Sequence, residues 1–295
     1  MTAFFSGAEA AIPAQSALSA FESIVEHRYV THNGVRIHYA VAGEGPLIVF
    51  LHGFPDHWLG WWQLMDSLRS GYRVAALDLR GYNLSDKPAG PDAYKVERLV
   101  EDVQAVVANE KSATATIVGH DWGGFLAWHV AMDVPSMVDG LVVLSMPHPW
   151  AIARELANNP AQRAASEYVR LFRQPESHLH FPLDRLGAWV NDIAYRERHD
   201  QAMALSSLDG MLSYYRANWP VEPYTERTVS PPKVQAPTLL IQGLQDPYAL
   251  PAGLNDIWQW VDNEVDIYTM PYAAHFIQHD YGLLVARRLR QWLLK

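Results

Sequence analysis

Apolar positions along the 295-residue chain follow two different spacings, and their order predicts an α/β fold. Every-other-residue alternation over 26–41, around an Asn-Gly pair, predicts a β-hairpin. The continuous apolar run at 46–51 is typical of a strand buried on both faces of a parallel sheet. Further strands are predicted at 72–77, 115–119, 141–145, 238–241 and 265–268, and helices at 94–109, 125–133 and 281–294. This order favours a mostly parallel, doubly wound sheet.

The alternation stops between residues 149 and 232, where the pattern becomes mostly helical and rich in aromatic residues and arginine. The stretch ends in a proline-rich loop that contains Pro220, Pro223, Pro231 and Pro232. We therefore predict one α/β core that is interrupted by a helical insertion. The expected divisions are an N-terminal extension at 1–25, the first part of the core at 26–148, the helical insertion at 149–232 and the second part of the core at 233–295.

The amino-acid composition excludes several classes of function. The chain has 23 Lys and Arg, 32 Asp and Glu, and a net charge of −9 without a basic cluster, which argues against nucleic acid as a partner. It has no cysteine, so disulfides, thiol nucleophiles and thiolate metal sites are excluded. No apolar stretch is long enough to span a membrane, and the first 20 residues lack the positive charge of a secretory signal. We expect a cytoplasmic protein, either monomer or homodimer.

The segment Thr116–Gly124 is the strongest chemical signal. A strand leads through Gly119-His-Asp121-Trp-Gly123-Gly into a helix, which is the shape of a nucleophile elbow that projects one side chain from a sharp turn. The glycines fit because a Cβ there would collide with neighbouring backbone. The projected residue is Asp121 rather than serine, and no G-x-S-x-G occurs in the chain.

Three other segments complete the candidate constellation. The loop after the buried strand contains Phe54, and Trp122 directly follows the candidate nucleophile. In enzymes with a nucleophile elbow, these two positions supply the amide N–H groups of the oxyanion hole. Asp246 follows a predicted strand and could orient a histidine. His275 follows the last strand, which gives the chain order nucleophile, acid, histidine.

On these segments the chain resembles the soluble, bacterial-type epoxide hydrolases of the α/β-hydrolase fold, over about Glu26 to Lys295. The motifs that carry the resemblance are His52-Gly-Phe-Pro55, Asp78-Leu-Arg-Gly-Tyr-Asn-Leu-Ser-Asp-Lys-Pro88, Gly119-His-Asp-Trp-Gly-Gly124, Asp246 and His275. The resemblance implies a helical cap domain, no cofactor, no metal, and a small apolar epoxide and water as substrates.

The resemblance also implies two cap tyrosines that donate to the epoxide oxygen. The segment beginning at Tyr168 is similar to the family's first tyrosine segment, and Ser213-Tyr-Tyr-Arg216 to its second. Tyr215 is the better match in the second segment, with Tyr214 as the alternative because adjacent tyrosines leave the register open. The residues expected to line the substrate pocket are Pro55, Trp58, Trp150, Phe172 and Phe276.

Asp121 is charged at neutral pH and needs no base to act as a nucleophile. Attack on an epoxide carbon would form an alkyl ester, which water activated by His275 and Asp246 would hydrolyse to a vicinal diol. A haloalkane dehalogenase with the same Asp nucleophile is an alternative, but many such enzymes place an asparagine where Phe54 stands. A catalytically silent small-molecule-binding protein on the same fold is a second alternative, disfavoured because the full set of Asp121, Asp246 and His275 is present.

Overall fold

The computed structural model describes residues 14–181 and 185–295, and these form an eight-stranded sheet with helices on both faces. The strands are β1 Glu26–His32, β2 Val35–Ala42, β3 Leu47–Leu51, β4 Arg73–Leu77, β5 Ala115–His120, β6 Val138–Leu144, β7 Thr238–Gly243 and β8 Val265–Met270. Their order in the sheet is β1-β2-β4-β3-β5-β6-β7-β8. Strand β2 runs antiparallel to both its neighbours, and all pairs from β4 to β8 are parallel. The predicted α/β fold with a mostly parallel sheet is confirmed.

The α-helices of the described residues follow the sequence pattern closely. They are α1 Ala14–Glu22, α2 Trp62–Leu68, α3 Val96–Asn109, α4 Trp122–Asp133, α5 Pro149–Asn158, α6 Pro160–Ala165, α7 Tyr168–Phe172, α8 Ile193–Leu205, α9 Leu208–Asn218, α10 Ile277–Asp280 and α11 Gly282–Leu293. The predicted strands are all present, and α2 is a helix that the periodicity did not predict. Helix α4 begins three residues earlier than predicted, directly after Asp121, because tight packing at the elbow overrides the weak helix propensity of the two glycines.

The central strands separate two hydrophobic cores. Leu47, Val49 and Leu51 of β3 face one core, whereas Ile48 and Phe50 face the other, and all five are buried. A strand between two layers of helices buries both of its faces, which explains why this run is continuously apolar. Because the strands from β4 to β8 are parallel, the carboxyl ends of β3, β5, β7 and β8 lie at the same edge of the sheet, and the loops at that edge can form a site.

Two helical segments are additions to the alternating strands and helices of the core. Helix α1, within the predicted extension, packs on the core through buried Leu18 and Phe21, and the ring of Phe21 lies 6.3 Å from that of Trp62. Residues 1–13 of that extension lie outside the described residues. Between β6 and β7 the described chain contributes helices α5 to α9 and no strand of the sheet. No described helix is both long enough and apolar enough to cross a membrane.

Candidate active site

The turn from β5 into α4 holds Asp121 in a strained conformation, with φ 51° and ψ −121°. A non-glycine residue rarely adopts a positive φ, and such strain is characteristic of functional turns. Close packing fixes the turn: a Cβ on Gly123 would lie 2.0 Å from the carbonyl oxygen of Leu51, and one on Gly53 would lie 2.4 Å from the Cβ of Asp121. The sequence can form this elbow only with glycine at those positions.

Asp121, His275 and Asp246 form one connected set of side chains. His275 Nε2 lies 3.5 Å from Asp121 Oδ2, and His275 Nδ1 lies 2.8 Å from Asp246 Oδ2. The other oxygen of Asp246 accepts the backbone N–H groups of Tyr248 and Ala249 at 2.9 and 3.0 Å. Asp246 is therefore held rigidly, and it fixes the orientation of the imidazole ring.

Charge and burial set the protonation of this set. Burial alone lowers the pKa of His275, but Asp246 and Asp121 outweigh it and raise that pKa to about 10. Burial alone raises the pKa of Asp121, but its hydrogen bond to His275 and the positive charge of that ring bring the pKa below its usual value. The resting site is thus an imidazolium between two carboxylates, and Asp121 is ionised at neutral pH.

The predicted oxyanion-hole residues flank the nucleophile. The N–H of Phe54 donates to Asp121 Oδ1 at 2.8 Å, so this carboxylate oxygen already lies where an oxyanion would develop. Trp122 is the first residue of α4, and its N–H has no partner within the helix. The two amides thus come from the loop after β3 and from the elbow itself.

A cavity of about 510 Å³ opens above Asp121 and His275. Three of the predicted pocket residues, Pro55, Phe172 and Phe276, line it, as do both predicted tyrosines. Its remaining lining residues are Phe54, Leu171, Phe181, Arg185, Leu186, Ala188, Trp189 and Tyr248. The walls are mainly aromatic and aliphatic, as is typical of a site for a small apolar ligand.

Tyr168 and Tyr215 meet across the cavity, with ring centroids 6.1 Å apart. Burial and then the negative charge of Asp121 raise the pKa of Tyr168 well above its usual value, although a hydrogen bond with Tyr215 opposes the rise. Burial likewise raises the pKa of Tyr215. Both phenols are therefore protonated at neutral pH and can donate a hydrogen bond into the cavity.

The structure distinguishes Tyr215 from its neighbour. The hydroxyl of Tyr214 donates to the carbonyl of Arg80 at 2.9 Å, so this side chain points into the core and not into the cavity. Asn218, one turn further along α9, donates to the carbonyl of Tyr94 and accepts the N–H of Val96, both at 2.9 Å. Helix α9 is thus attached to the core on one side and presents Tyr215 to the cavity on the other.

Two predicted pocket residues do not line the cavity. Trp58 is buried beneath the β1–β2 hairpin, where its ring lies 5.3 Å from that of His27. Trp150 lies at the start of α5, donates its indole N–H to the carbonyl of Val229 at 2.7 Å and stacks with Arg227. Both were predicted as aromatic residues near the mouth of an apolar pocket, but each side chain packs away from the cavity.

Sequence reasoning missed several cavity residues, among them Tyr248 and Trp189. The ring of Tyr248 lies 5.1 Å from that of His275 and 5.6 Å from that of Tyr168. Its position two residues after Asp246 was a usable signal. The ring of Trp189 stacks on Phe276 at 3.8 Å, but it lies in a stretch without clear periodicity, and no local pattern identified it.

Comparison with known proteins gives a consistent result. Residues 46–280 match the family model described as alpha/beta hydrolase fold. Epoxide hydrolase 3 of Xenopus tropicalis is 31% identical and aligns over 99% of this chain and 84% of its own length. Epoxide hydrolase 4 of Homo sapiens is 31% identical over 92% of this chain and 80% of its own.

A solved structure agrees with these relatives. The crystal structure of a Bacillus megaterium epoxide hydrolase in complex with an inhibitor superposes with a TM-score of 0.83 at 31% identity, covering 91% of this chain and 100% of that one. Since the elbow geometry, the extent of the family match and the relatives all agree, the chain belongs to the alpha/beta hydrolase fold family and, within it, to the epoxide hydrolases.

Proposed function

We propose that this epoxide hydrolase works through a covalent ester on Asp121. The observation that carries the proposal is the ionised Asp121 in a strained elbow, paired with His275 at 3.5 Å and facing an apolar cavity that contains two phenols. A carboxylate oxygen attacks one epoxide carbon, the carbon–oxygen bond of the ring breaks, and an alkyl ester forms. The strained ring and the buried anion together favour this step.

Tyr168 and Tyr215 act as the acids of ring opening. The departing alkoxide is a stronger base than a phenolate, so it takes a proton from the phenol that holds it, even though the pKa of each phenol is raised. Two converging donors also polarise the ring oxygen before the bond breaks. The apolar walls fit this role because they exclude water that would compete for the same oxygen.

His275 becomes a base only after the ester forms. The raised pKa of His275 depends on Asp121 and Asp246, and esterification removes the negative charge of Asp121. The pKa of His275 then falls, and the proton it releases restores the tyrosine that protonated the alkoxide. The neutral imidazole removes a proton from water, which attacks the ester carbonyl carbon while the amides of Phe54 and Trp122 stabilise the oxyanion. The bond between the ester carbon and the alkyl oxygen then breaks, and the departing alkoxide takes the proton from His275 and leaves as the diol. The carboxyl group of Asp121 returns a proton to His275, which restores the starting state.

The substitution His275→Gln tests this mechanism. The variant keeps the nucleophile and the tyrosines but lacks the base, so it should accumulate the alkyl-enzyme. Intact mass after addition of styrene oxide should rise by the mass of one epoxide molecule. The double variant Asp121→Asn with His275→Gln should show no adduct, and His32→Gln, at the half-buried last residue of β1 and outside the cavity lining, should turn over normally. A stoichiometric adduct on the double variant, or none on His275→Gln with an epoxide that the native enzyme hydrolyses, would contradict the covalent route.

The helical segment 149–232 is proposed to act as a cap over the core. Both tyrosines come from its helices α7 and α9, whereas Asp121, Asp246 and His275 come from loops of the sheet. The substrate would therefore bind between the two. The divisions at 25, 148 and 232 are kept as part of this proposal, since β1 begins at Glu26, β6 ends at Leu144 and β7 begins at Thr238.

Location and partners rest on the composition. A cytoplasmic location remains a proposal. The net charge of −9 supports the separate proposal that nucleic acid is not a partner. We propose no cofactor for the cycle, because the carboxylates, His275 and the two phenols supply the nucleophile, the base and the acids that it requires.

A further inference from the structure

The loop that carries the Phe54 amide is held by the helical segment 149–232 as well as by the core. His199, in α8, is completely buried, and its Nε2 lies 2.6 Å from the carbonyl oxygen of Pro55. A carbonyl oxygen can only accept a hydrogen bond, so Nε2 carries the hydrogen and donates it. Among the residues that the structure describes, no other group donates to this carbonyl. The bond therefore joins α8 to the residue that directly follows Phe54.

Residues 53–56 form a closed turn, so a bond to Pro55 also restrains the position of Phe54. The N–H of Asp56 donates to the carbonyl of the residue three positions earlier at 3.0 Å, and the ring of Pro55 fixes one of the backbone angles within the turn. The N–H of Phe54 points out of this turn to Asp121 Oδ1, at 2.8 Å. A shift of the turn would therefore misalign the N–H on which the proposed oxyanion hole depends.

Helix α8 also holds the last residue of the turn, through Tyr195. The hydroxyl of Tyr195 donates to Asp56 Oδ1, and Nε2 of His279 lies 2.7 Å from the other oxygen of the same carboxylate. Burial alone raises the pKa of Asp56, but His279 beside it brings that pKa well below its usual value. Asp56 is thus an anion, and a hydrogen bond to an anion is stronger than one between neutral groups. The helix therefore contacts the turn at two consecutive residues.

We infer that His199 is a positioning residue for the oxyanion hole, which holds the Phe54 amide on Asp121 through the carbonyl of Pro55. This inference rests on the proposed function and adds a residue of the helical segment to its second step. In ester hydrolysis, negative charge develops on the oxygen that the Phe54 N–H contacts, so the alignment of this N–H matters most there. In ring opening, the charge moves from Asp121 to the epoxide oxygen, away from this amide. Hydrolysis of the alkyl-enzyme should therefore depend on His199 more strongly than its formation does.

The experiment measures both steps in single turnovers with styrene oxide, for the native enzyme, His199→Leu and His199→Gln. Rapid quenching with intact-mass detection follows the alkyl-enzyme as it forms and decays. Leucine cannot donate, whereas the amide of glutamine can place an N–H near the position of Nε2. In His199→Leu we expect the rate constant of hydrolysis to fall about five- to tenfold and that of formation to stay within about twofold, and His199→Gln should restore hydrolysis to within about threefold of native. A smaller folded fraction would lower the amplitudes but not these rate constants.

Arg198→Met is the matched control, because Arg198 attaches the same helix to α1, with Nη2 3.2 Å from a carboxylate oxygen of Glu22. It should leave both rate constants within about twofold of native. The inference is overturned if His199→Leu slows both steps equally or leaves both unchanged, if His199→Gln recovers nothing, or if Arg198→Met loses hydrolysis as His199→Leu does. Failure of the proposed function is distinguishable, because the native enzyme and His275→Gln would then form no alkyl-enzyme at all.

Discussion

The charge of Asp121 is expected to control the proton on His275, and the substitution Asp121→Asn isolates this effect. Asparagine keeps the shape of the carboxylate but removes its charge at 3.5 Å from His275 Nε2. At an effective dielectric constant of about 20, a charge pair at this distance is worth about 5 kcal/mol, which corresponds to a pKa change of about 3.5. The pKa of His275, about 10 in the native protein, should therefore fall into the neutral range.

Histidine NMR measures the pKa of His275 directly. In protein labelled at the imidazole carbons, the His275 resonance is assigned by its loss in His275→Gln and then titrated in the native protein and in Asp121→Asn. We expect imidazolium chemical shifts up to at least pH 9 in the native protein and a titration near neutrality in the variant. Equal titration in both would refute the reasoning, because Asp121 would then not be the group that retains the proton.

The same coupling predicts the pH dependence of stability. The pKa of His275 is raised on folding, from near 6.5 to about 10, so the folded chain holds a proton that the unfolded chain loses between these values. This contribution to the free energy of unfolding is complete below pH 6.5 and is lost as the pH rises to about 10. In urea unfolding, the native protein should lose stability over this range more steeply than Asp121→Asn. If the free energy of unfolding changed with pH equally in the two proteins, the charge of Asp121 would not be what raises the pKa of His275.

Two further predictions concern the site. The combination Tyr168→Phe with Tyr215→Phe should slow alkyl-enzyme formation at least 100-fold in stopped-flow single turnovers, and retention of a tenth of the rate would remove the phenols from the mechanism. Gly53→Ala should destabilise the protein by about 2 kcal/mol in urea unfolding and nearly abolish turnover, because its Cβ would lie 2.4 Å from the Cβ of Asp121. Gly71→Ala, where nothing lies within 4 Å, is the control, and equal effects of the two would contradict the packing argument.

Much of the fold could be predicted because its signals are local. The apolar run at 46–51 has the composition of a doubly buried strand, and β3 is one. The elbow was predictable for the same reason, since its glycines are required by backbone approaches that a Cβ would block. The association of Asp121 with Asp246 and His275 followed from chain order and from the rule that strand ends of a parallel sheet meet at one edge.

The cavity walls could be predicted only in part, because they depend on how helices cross the core. Trp58 lies three residues after Pro55 and Trp150 lies at the start of α5, but the side chains of both pack away from the cavity. Trp189 and Arg185 come from a stretch whose position depends on buried neighbours such as Leu186. No periodicity in the sequence carries this information, since such contacts are long-range.

The attachment of α9 to the core determines which wall of the cavity can move when the cavity widens. A rigid displacement of this helix would break the bond of Tyr214 to Arg80 and both bonds of Asn218, at a cost of about 1 kcal/mol each. In the proposed mechanism Tyr215 would therefore move less than Tyr168 relative to the epoxide oxygen. Widening of the cavity for a bulkier substrate, or for release of the diol, then falls to the opposite wall, which carries Tyr168. The two phenols would therefore separate when the cavity opens and converge again only when it has closed around the ring.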